Sequence, residues 1–385
     1  MITARTDVGT VDDLHASATR VTGLADFGSD DYREGLRVLL ESYAAEAALT
    51  PAGSKVQHAL LRGALVARLL SEAAWRQYPE HAATPITRPV FITGLPRTGT
   101  TALHRLLTAD PAHQGLELWL TEVPQPRPPR ETWPDNPVFA TIQEGYRRHS
   151  DNRPELGSAH DISAEQVEEC WQLLRQSMTS VSFECLAFIP GYSRWLREQD
   201  WRAAYRRHRR NLQLIGMADA DRRWVLKNPS HLFALPALLE AYPDALVIQT
   251  HRDPRTAIAS VCSLNAQASA GWSEVFRADV VGRTQLELWA GGLDRFMADR
   301  AGRDPAQFLD VRYGEFVADP MGTVAAVYER LGAPLSDAAR AAMTARHGGS
   351  GPGARPAHRY ALADFGLTEA AVDERFAGYL AAHGR

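Results

Sequence analysis

Residues 89–107 constrain the fold more than any other stretch. Pro89-Val90-Phe91-Ile92-Thr93 is a short apolar run with β-branched residues, and it stops at a glycine, which predicts a buried strand. After Gly94-Leu95-Pro96-Arg97-Thr98-Gly99-Thr100-Thr101 the pattern turns helical over 102–107, until Asp110-Pro111 ends it. Strand, glycine-containing loop and helix in that order place free backbone N–H groups and a helix N-terminus where a phosphate or sulfate can sit. The two glycines have the spacing of the nucleoside-triphosphatase loop, but Thr100 stands where that loop has its lysine. The positive charge is instead Arg97, inside the loop, whose guanidinium can grip an oxyanion at two points. By itself the motif predicts anion binding and no particular reaction.

The rest of the chain reads as one α/β core with helical additions. Residues 1–85 have helical character; over 55–78 the apolar positions Val56, Leu60, Ala64, Ala67, Leu70 and Ala74 recur every three to four residues. Six prolines between 124 and 137 predict an extended surface loop. Helices are expected over 163–185 and 201–218. Two further buried strands, 223–227 and 245–250, flank a helical stretch at 231–242, the spacing of a βαβ unit, so a parallel sheet follows. Phe308-Leu309-Asp310-Val311 offers another strand, between helices near 273–300 and after Pro320. A glycine-rich connection at 348–353 precedes a return to helical spacing over 368–383.

A second basic cluster follows the 245–250 strand: His251-Arg252-Asp253-Pro254-Arg255, with Ser260 eight residues beyond Arg252. Arg252 and a hydroxyl two helical turns later can share one phosphate, while Asp253 before Pro254 caps the helix. Two oxyanion cradles at the carboxyl edge of one parallel sheet suit a ligand with phosphate groups at two ends. Of the 42 basic residues among 385, 40 are arginine, so Lys55 and Lys227 stand out. Lys55 opens a helix. Lys227 ends the run Trp224-Val225-Leu226, where a buried strand meets a loop, a position suited to an active site.

Composition narrows the function classes. A net charge of −4 without runs of like charge argues against a general nucleic-acid binder, so any anion site must be local. No stretch reaches the roughly 18 uninterrupted apolar residues of a membrane span, and the first twenty residues lack an export signal's apolar core. A cytoplasmic protein is the expectation. Cys170, Cys185 and Cys262 have no CxxC spacing and are expected to be reduced and buried.

These residues together resemble the sulfotransferases that use 3'-phosphoadenosine 5'-phosphosulfate (PAPS), in particular the bacterial members, over about 88–385. Pro96-Arg97-Thr98-Gly99-Thr100-Thr101 is similar to the loop that holds the donor's 5'-phosphosulfate, and Arg252 with Ser260 to the pair on its 3'-phosphate. Leu226-Lys227-Asn228-Pro229-Ser230-His231 resembles the catalytic strand end, and Val311 to Phe316 the segment that lays Tyr313 against adenine. Cytosolic animal members have lysine where this chain has Arg97. Their C-terminal Arg-Lys-Gly clamp has no clear counterpart; Arg355, His358 and Arg359 lie where a substitute would.

The resemblance implies a P-loop-type parallel sheet flanked by helices, with a helical N-terminal extension over 1–87 packed on a core domain of 88–385. A helical insertion at about 112–220 would shape the acceptor site. It implies PAPS as donor, no metal, and a hydroxyl acceptor on a small molecule, lipid or natural product. Lys227 and Arg97 would stabilise charge on the leaving oxygen. Four residues compete for the role of base: His231, which follows Lys227 at a longer interval than the family's usual histidine; Glu117; Glu122; and His160, beside Asp161. Aromatic residues Trp119, Trp133, Trp171, Phe183, Phe188, Tyr192 and Trp195 gather in the same region, and a minority of them would line an apolar acceptor pocket. The competing readings are a P-loop kinase or triphosphatase, and an inactive nucleotide-binding protein.

Overall fold

A computed structural model describes residues 7–152, 163–349 and 361–384. Five parallel strands form its sheet: β1 (Val90–Gly94), β2 (His113–Gln114), β3 (Arg223–Lys227), β4 (Leu246–His251) and β5 (Phe308–Arg312), in the order β2-β3-β1-β4-β5. Every residue of β1 and β4 is buried, which is why these segments read as continuous apolar runs without the alternation of a half-exposed strand. The two-residue β2 escaped the sequence reading because it has no pattern of its own; its register against Arg223 and Trp224 defines it.

The strand register sets the site. Ile92 pairs with Lys227, Gly94 with Thr250, and His251 with Arg312. The carboxyl ends of four strands therefore lie side by side, each followed by a loop or helix that carries one of the basic groups singled out above.

The N-terminal region folds as three helices, α1 (Val11–Thr22), α2 (Arg33–Ala45) and α3 (Pro51–Gln77). Pro51 starts α3 behind Thr50, whose hydroxyl caps the N–H of Gly53 at 3.0 Å. Leu36, Leu39, Leu61 and Leu65 join one hydrophobic core with Phe91, Leu226 and Val247 of the sheet. On the other face of the sheet Val90, Ile92, Val225 and Ile248 pack against Leu103 and Leu107 of α4 (Thr100–Leu107). The helix Ala278–Arg300, continuous over 23 residues, closes the first face with Trp289 and Phe296 fully buried.

Two expectations for the middle region need correction. Between 163 and 185 the described chain has only one short helix, Trp171–Arg175; the preceding segment is pinned in extended form, with the Glu168 N–H on the Leu116 carbonyl at 2.8 Å and the Cys170 N–H on the Lys227 carbonyl at 3.2 Å. The proline-rich stretch is not simply a surface loop. Trp133 within it is buried against Trp119 and Phe139, and Arg127 is drawn inward by Glu117, Gln114, Asp219 and the Gly115 carbonyl. Paired charges and aromatic burial outweigh the surface tendency of proline. Cys170 and Cys262 are buried as expected, whereas Cys185 is only half-buried.

Candidate active site

The loop after β1 is shaped by what approaches it. Gly94 has φ 139°, and a Cβ there would fall 2.5 Å from Thr250 Oγ1, so a side chain would wedge β1 from β4. Gly99 has φ 88°, and its Cβ would lie 2.9 Å from a ring carbon of Tyr313. Arg97 itself takes φ 70°, an uncommon conformation for a residue with a side chain. Thr98 locks the turn from inside: its hydroxyl donates to the Leu95 carbonyl at 2.6 Å and lies 2.6 Å from Thr250 Oγ1. Helix α4 begins at Gly99 without a side-chain cap, which leaves its first N–H groups available to a ligand.

The two cradles read from the sequence are one site. Arg97 Nε donates to Ser260 Oγ at 3.0 Å, and Arg252 Nη1 donates to the Arg97 carbonyl at 2.7 Å. The Arg252 guanidinium lies over the Tyr313 ring, 4.1 Å from its centre. A cleft of about 360 Å³ opens beside them, lined by His251, Arg252, Arg312, Tyr313 and Tyr379 among others. Behind it His251 is held from both sides, with Nδ1 3.0 Å from the Tyr379 hydroxyl and Nε2 2.8 Å from Asp310. The C-terminal helix Ala377–His383 thus forms a wall of the cleft, fastened further by Arg312 Nη1 on the His383 carbonyl at 2.6 Å.

Lys227 lies on the opposite flank of α4. Its Nζ donates to Thr101 Oγ1 at 3.1 Å and to Glu169 Oε1 at 2.5 Å, and the lysine side chain is 2% exposed. Below it His104 gives its Nε2 to the Val225 carbonyl at 3.0 Å, and burial, reinforced by the Lys227 charge, pushes its pKa down to about 3. A neutral imidazole keeps a second cation away from the ammonium. Glu169 is the residue that sequence reasoning missed. The sequence reading gave Glu169 no role and left it inside the helix expected over 163–185, whereas the extended segment turns it onto the end of β3. Its second oxygen, Oε2, is buried without a hydrogen-bond partner.

The proposed bases occupy different places. His231 is fully buried, its Nδ1 2.6 Å from the Tyr205 hydroxyl and its ring edge-on to Phe91 at 5.1 Å; burial holds its pKa well below the ordinary range. It is an enclosed histidine whose Nε2 is buried without a hydrogen-bond partner. The insertion of Pro229-Ser230 produces this, because a 3-10 turn over Pro229–Phe233 rolls the ring under the sheet. Glu117 is buried in an ion pair with Arg127 at 3.0 Å, in a structural knot with Asp219. Glu122 accepts from the Tyr146 hydroxyl, and burial raises its pKa. His160, Asp161, Arg355, His358 and Arg359 lie outside the described residues.

The pattern of the sulfotransferase family matches residues 89–337, which contain the loop, Lys227, Arg252, Ser260 and Tyr313. This chain belongs to the sulfotransferase family. Among solved structures the sulfotransferase STF1 of Mycobacterium tuberculosis H37Rv is 57% identical and superimposes with a TM-score of 0.91, covering 97% of this chain and 100% of that one. The sulfotransferase STF9 of Mycobacterium avium is 30% identical with a TM-score of 0.88, over 97% of this chain and 96% of that one. A curated relative, the omega-hydroxy-beta-dihydromenaquinone-9 sulfotransferase Stf3 of Mycobacterium bovis, is 28% identical over 253 residues, or 63% of this chain. The match spans 62% of that relative's length. These likenesses bear out the family and the P-loop-type parallel sheet expected from the sequence. Among the described residues no helix is long and apolar enough to cross a membrane.

Proposed function

We propose that this sulfotransferase moves a sulfuryl group from PAPS to a hydroxyl of an amphipathic small molecule or lipid. The reading rests on one observation above the others. Arg97 and Arg252 have no carboxylate partner among the described residues, yet they converge with Ser260 and the uncapped start of α4 on one side of Tyr313. Unpaired cations and free amides in a cradle with no room for a Cβ at Gly99 fit a ligand with several negative charges and a flat base. In this reading Arg252 and Ser260 hold the 3'-phosphate, Tyr313 lies against the adenine, and Arg97 with residues 98–101 holds the 5'-phosphosulfate. The donor supplies an activated sulfuryl group.

The residues of this chain then divide the work. Lys227 and Arg97 stabilise negative charge as it builds on the oxygen that leaves sulfur, an effect strongest in a site poor in water. Glu169, paired with Lys227 through Oε1 and with its side chain 15% exposed where His231 is fully buried, takes the proton from the acceptor hydroxyl as that oxygen bonds to sulfur. The name of the Stf3 relative specifies an omega-hydroxylated acceptor, which favours an alcohol over an amine here. We further propose that the N-terminal helices and the 112–220 region build the acceptor side.

Thermal shift with 3',5'-adenosine bisphosphate (PAP), without metal, tests the donor assignment by mass action. A rise in melting temperature is expected, and stabilisation by ATP with magnesium alone overturns the reading. Mass spectrometry of PAPS reactions over an alcohol and phenol panel tests transfer, and Glu169→Gln is expected to lower its rate at least a hundredfold with PAP affinity retained.

A further inference from the structure

Arg252 stands between two residues that the C-terminal helices hold. His251 before it, at the end of β4, has Nδ1 3.0 Å from the Tyr379 hydroxyl, and the two rings stack with centres 5.8 Å apart. Arg255 after it donates Nε to Asp373 at 2.7 Å, and its terminal nitrogens reach Asp373 and Glu369. Asp373 and Glu369 lie on the helix Glu369–Arg375, and Tyr379 on the helix that follows it, Ala377–His383. Both pack on the long helix Ala278–Arg300, where Arg375 meets Glu287 at 3.0 Å and Asp294 at 2.8 Å.

The hydrogen bonds at His251 run in one direction. Arg300 grips both oxygens of Asp310 at 2.7 Å, so that carboxylate is an ionised acceptor, and His251 Nε2 lies 2.8 Å from it. The ring hydrogen is then on Nε2, and Nδ1 is left to accept from the Tyr379 O–H. The Tyr379 oxygen keeps a lone pair, which faces the Arg252 backbone N–H: burial pushes the hydroxyl's pKa up to about 12, and the bond from that N–H is the chief opposing effect. Tyr379 is 2% exposed, yet it reaches the wall of the cleft that Arg252 and Tyr313 line.

We propose that Tyr379 is a positioning residue for Arg252: through His251 and the 251–252 backbone, its hydroxyl fixes where the guanidinium sits and so sets the preference of the donor site for an adenylate with a 3'-phosphate over one without it. The inference rests on the function proposed above, which puts the 3'-phosphate on Arg252 and Ser260. A guanidinium fork gains most from a phosphate when it is already in place, because less freedom is then lost on binding. The Arg97 carbonyl and the Tyr313 ring steady the Arg252 side chain. Neither fixes the backbone from which it springs. Anchors at His251 and Arg255 do, and one pair of helices supplies both.

The test is calorimetric titration of the full-length protein with PAP and with 5'-AMP, which differs only in lacking the 3'-phosphate, alongside melting curves. Wild-type protein is expected to prefer PAP by about tenfold or more. Tyr379→Phe keeps the ring and removes only the hydroxyl. It should bind PAP about fivefold more weakly, the net loss of one hydrogen bond, and bind 5'-AMP as the wild type does. Arg252→Ala separates positioning from packing: in that background Tyr379→Phe should have no further effect on PAP. Full PAP affinity in Tyr379→Phe, an equal weakening of PAP and 5'-AMP, or a loss that persists beside Arg252→Ala overturns the proposal and leaves the donor assignment standing. A wild-type protein that binds PAP no better than 5'-AMP overturns the donor assignment, and the role of Tyr379 falls with it.

Discussion

Lys227 and Glu169 form a part-buried ion pair 58 positions apart in the chain, with Nζ 2.5 Å from Oε1 at the carboxyl end of β3. The pair ties the proposed leaving-group cation to the proposed base. Lys227→Ala is expected to slow single-turnover sulfuryl transfer by about a hundredfold, which corresponds to about 3 kcal/mol of transition-state stabilisation. It also strands the Glu169 charge, so the melting temperature should fall. Lys227→Arg should recover little, because a planar fork cannot stand in for a compact ammonium between Thr101 and Glu169. Rapid-quench kinetics alongside melting curves check this; normal transfer by a folded Lys227→Ala protein would remove lysine from the chemistry.

Arg252 touches the opposite end of the site, against Tyr313 and the Arg97 carbonyl. A contact remote from the reacting sulfur binds ground state and transition state alike. Arg252→Ala should therefore weaken PAP at least tenfold in calorimetry and change the rate at saturating PAPS by much less. An unchanged PAP affinity would make Arg252 a purely structural residue.

Gly99 gives a steric prediction that needs no substrate. With φ 88° and Tyr313 2.9 Å from where a Cβ would sit, Gly99→Ala must displace either the ring or the loop. Adding a Cβ at positive φ costs about 1 kcal/mol or more before any clash. The variant should melt lower and bind PAP more weakly, whereas Gly63→Ala, on an open helix face where nothing lies within 4 Å of the new Cβ, should do neither. Retention of wild-type PAP affinity by Gly99→Ala would show that the loop tolerates a different path.

Acid sensitivity follows from buried neutral histidines. Burial pushes His104 and His208 down to about 3, from an ordinary value of 6.5. Below pH 6.5 the unfolded chain takes up these protons and the folded one does not, so stability present above that pH is lost as pH falls toward 3. Each such histidine contributes a slope of about 1.4 kcal/mol per pH unit within the window. His208, whose Nδ1 lies 2.8 Å from the Tyr242 hydroxyl, offers the cleaner test. Urea unfolding of His208→Phe at pH 6 and pH 5 should give a shallower loss of stability than the wild type by about that amount. Equal slopes would mean that His208 is protonated in the folded protein.

The phosphate loop, the strands around it and the basic groups at their ends were legible in the sequence because their signals are local. A buried parallel strand must be apolar throughout, a tight loop needs glycine where φ is positive, and a helix that receives an anion starts just behind it. Arg97, Thr98 to Thr101, Arg252, Ser260 and Tyr313 fall together because parallel strands deliver their carboxyl ends to one edge. Lys227 stood out in a chain that otherwise writes its positive charge as arginine. What occupies the space beyond Lys227 was decided only by tertiary structure. Glu169 reaches the ammonium because backbone hydrogen bonds to Leu116 and Lys227 hold its segment extended, against the helical period of its side chains. His231, four residues from Lys227 in sequence, is carried into the core by a single 3-10 turn. Arg127 and Asp219, 92 positions apart, pair because segments far apart in the chain pack together. Charge partners of that kind depend on which segments meet, and no local pattern of residue types encodes the meeting.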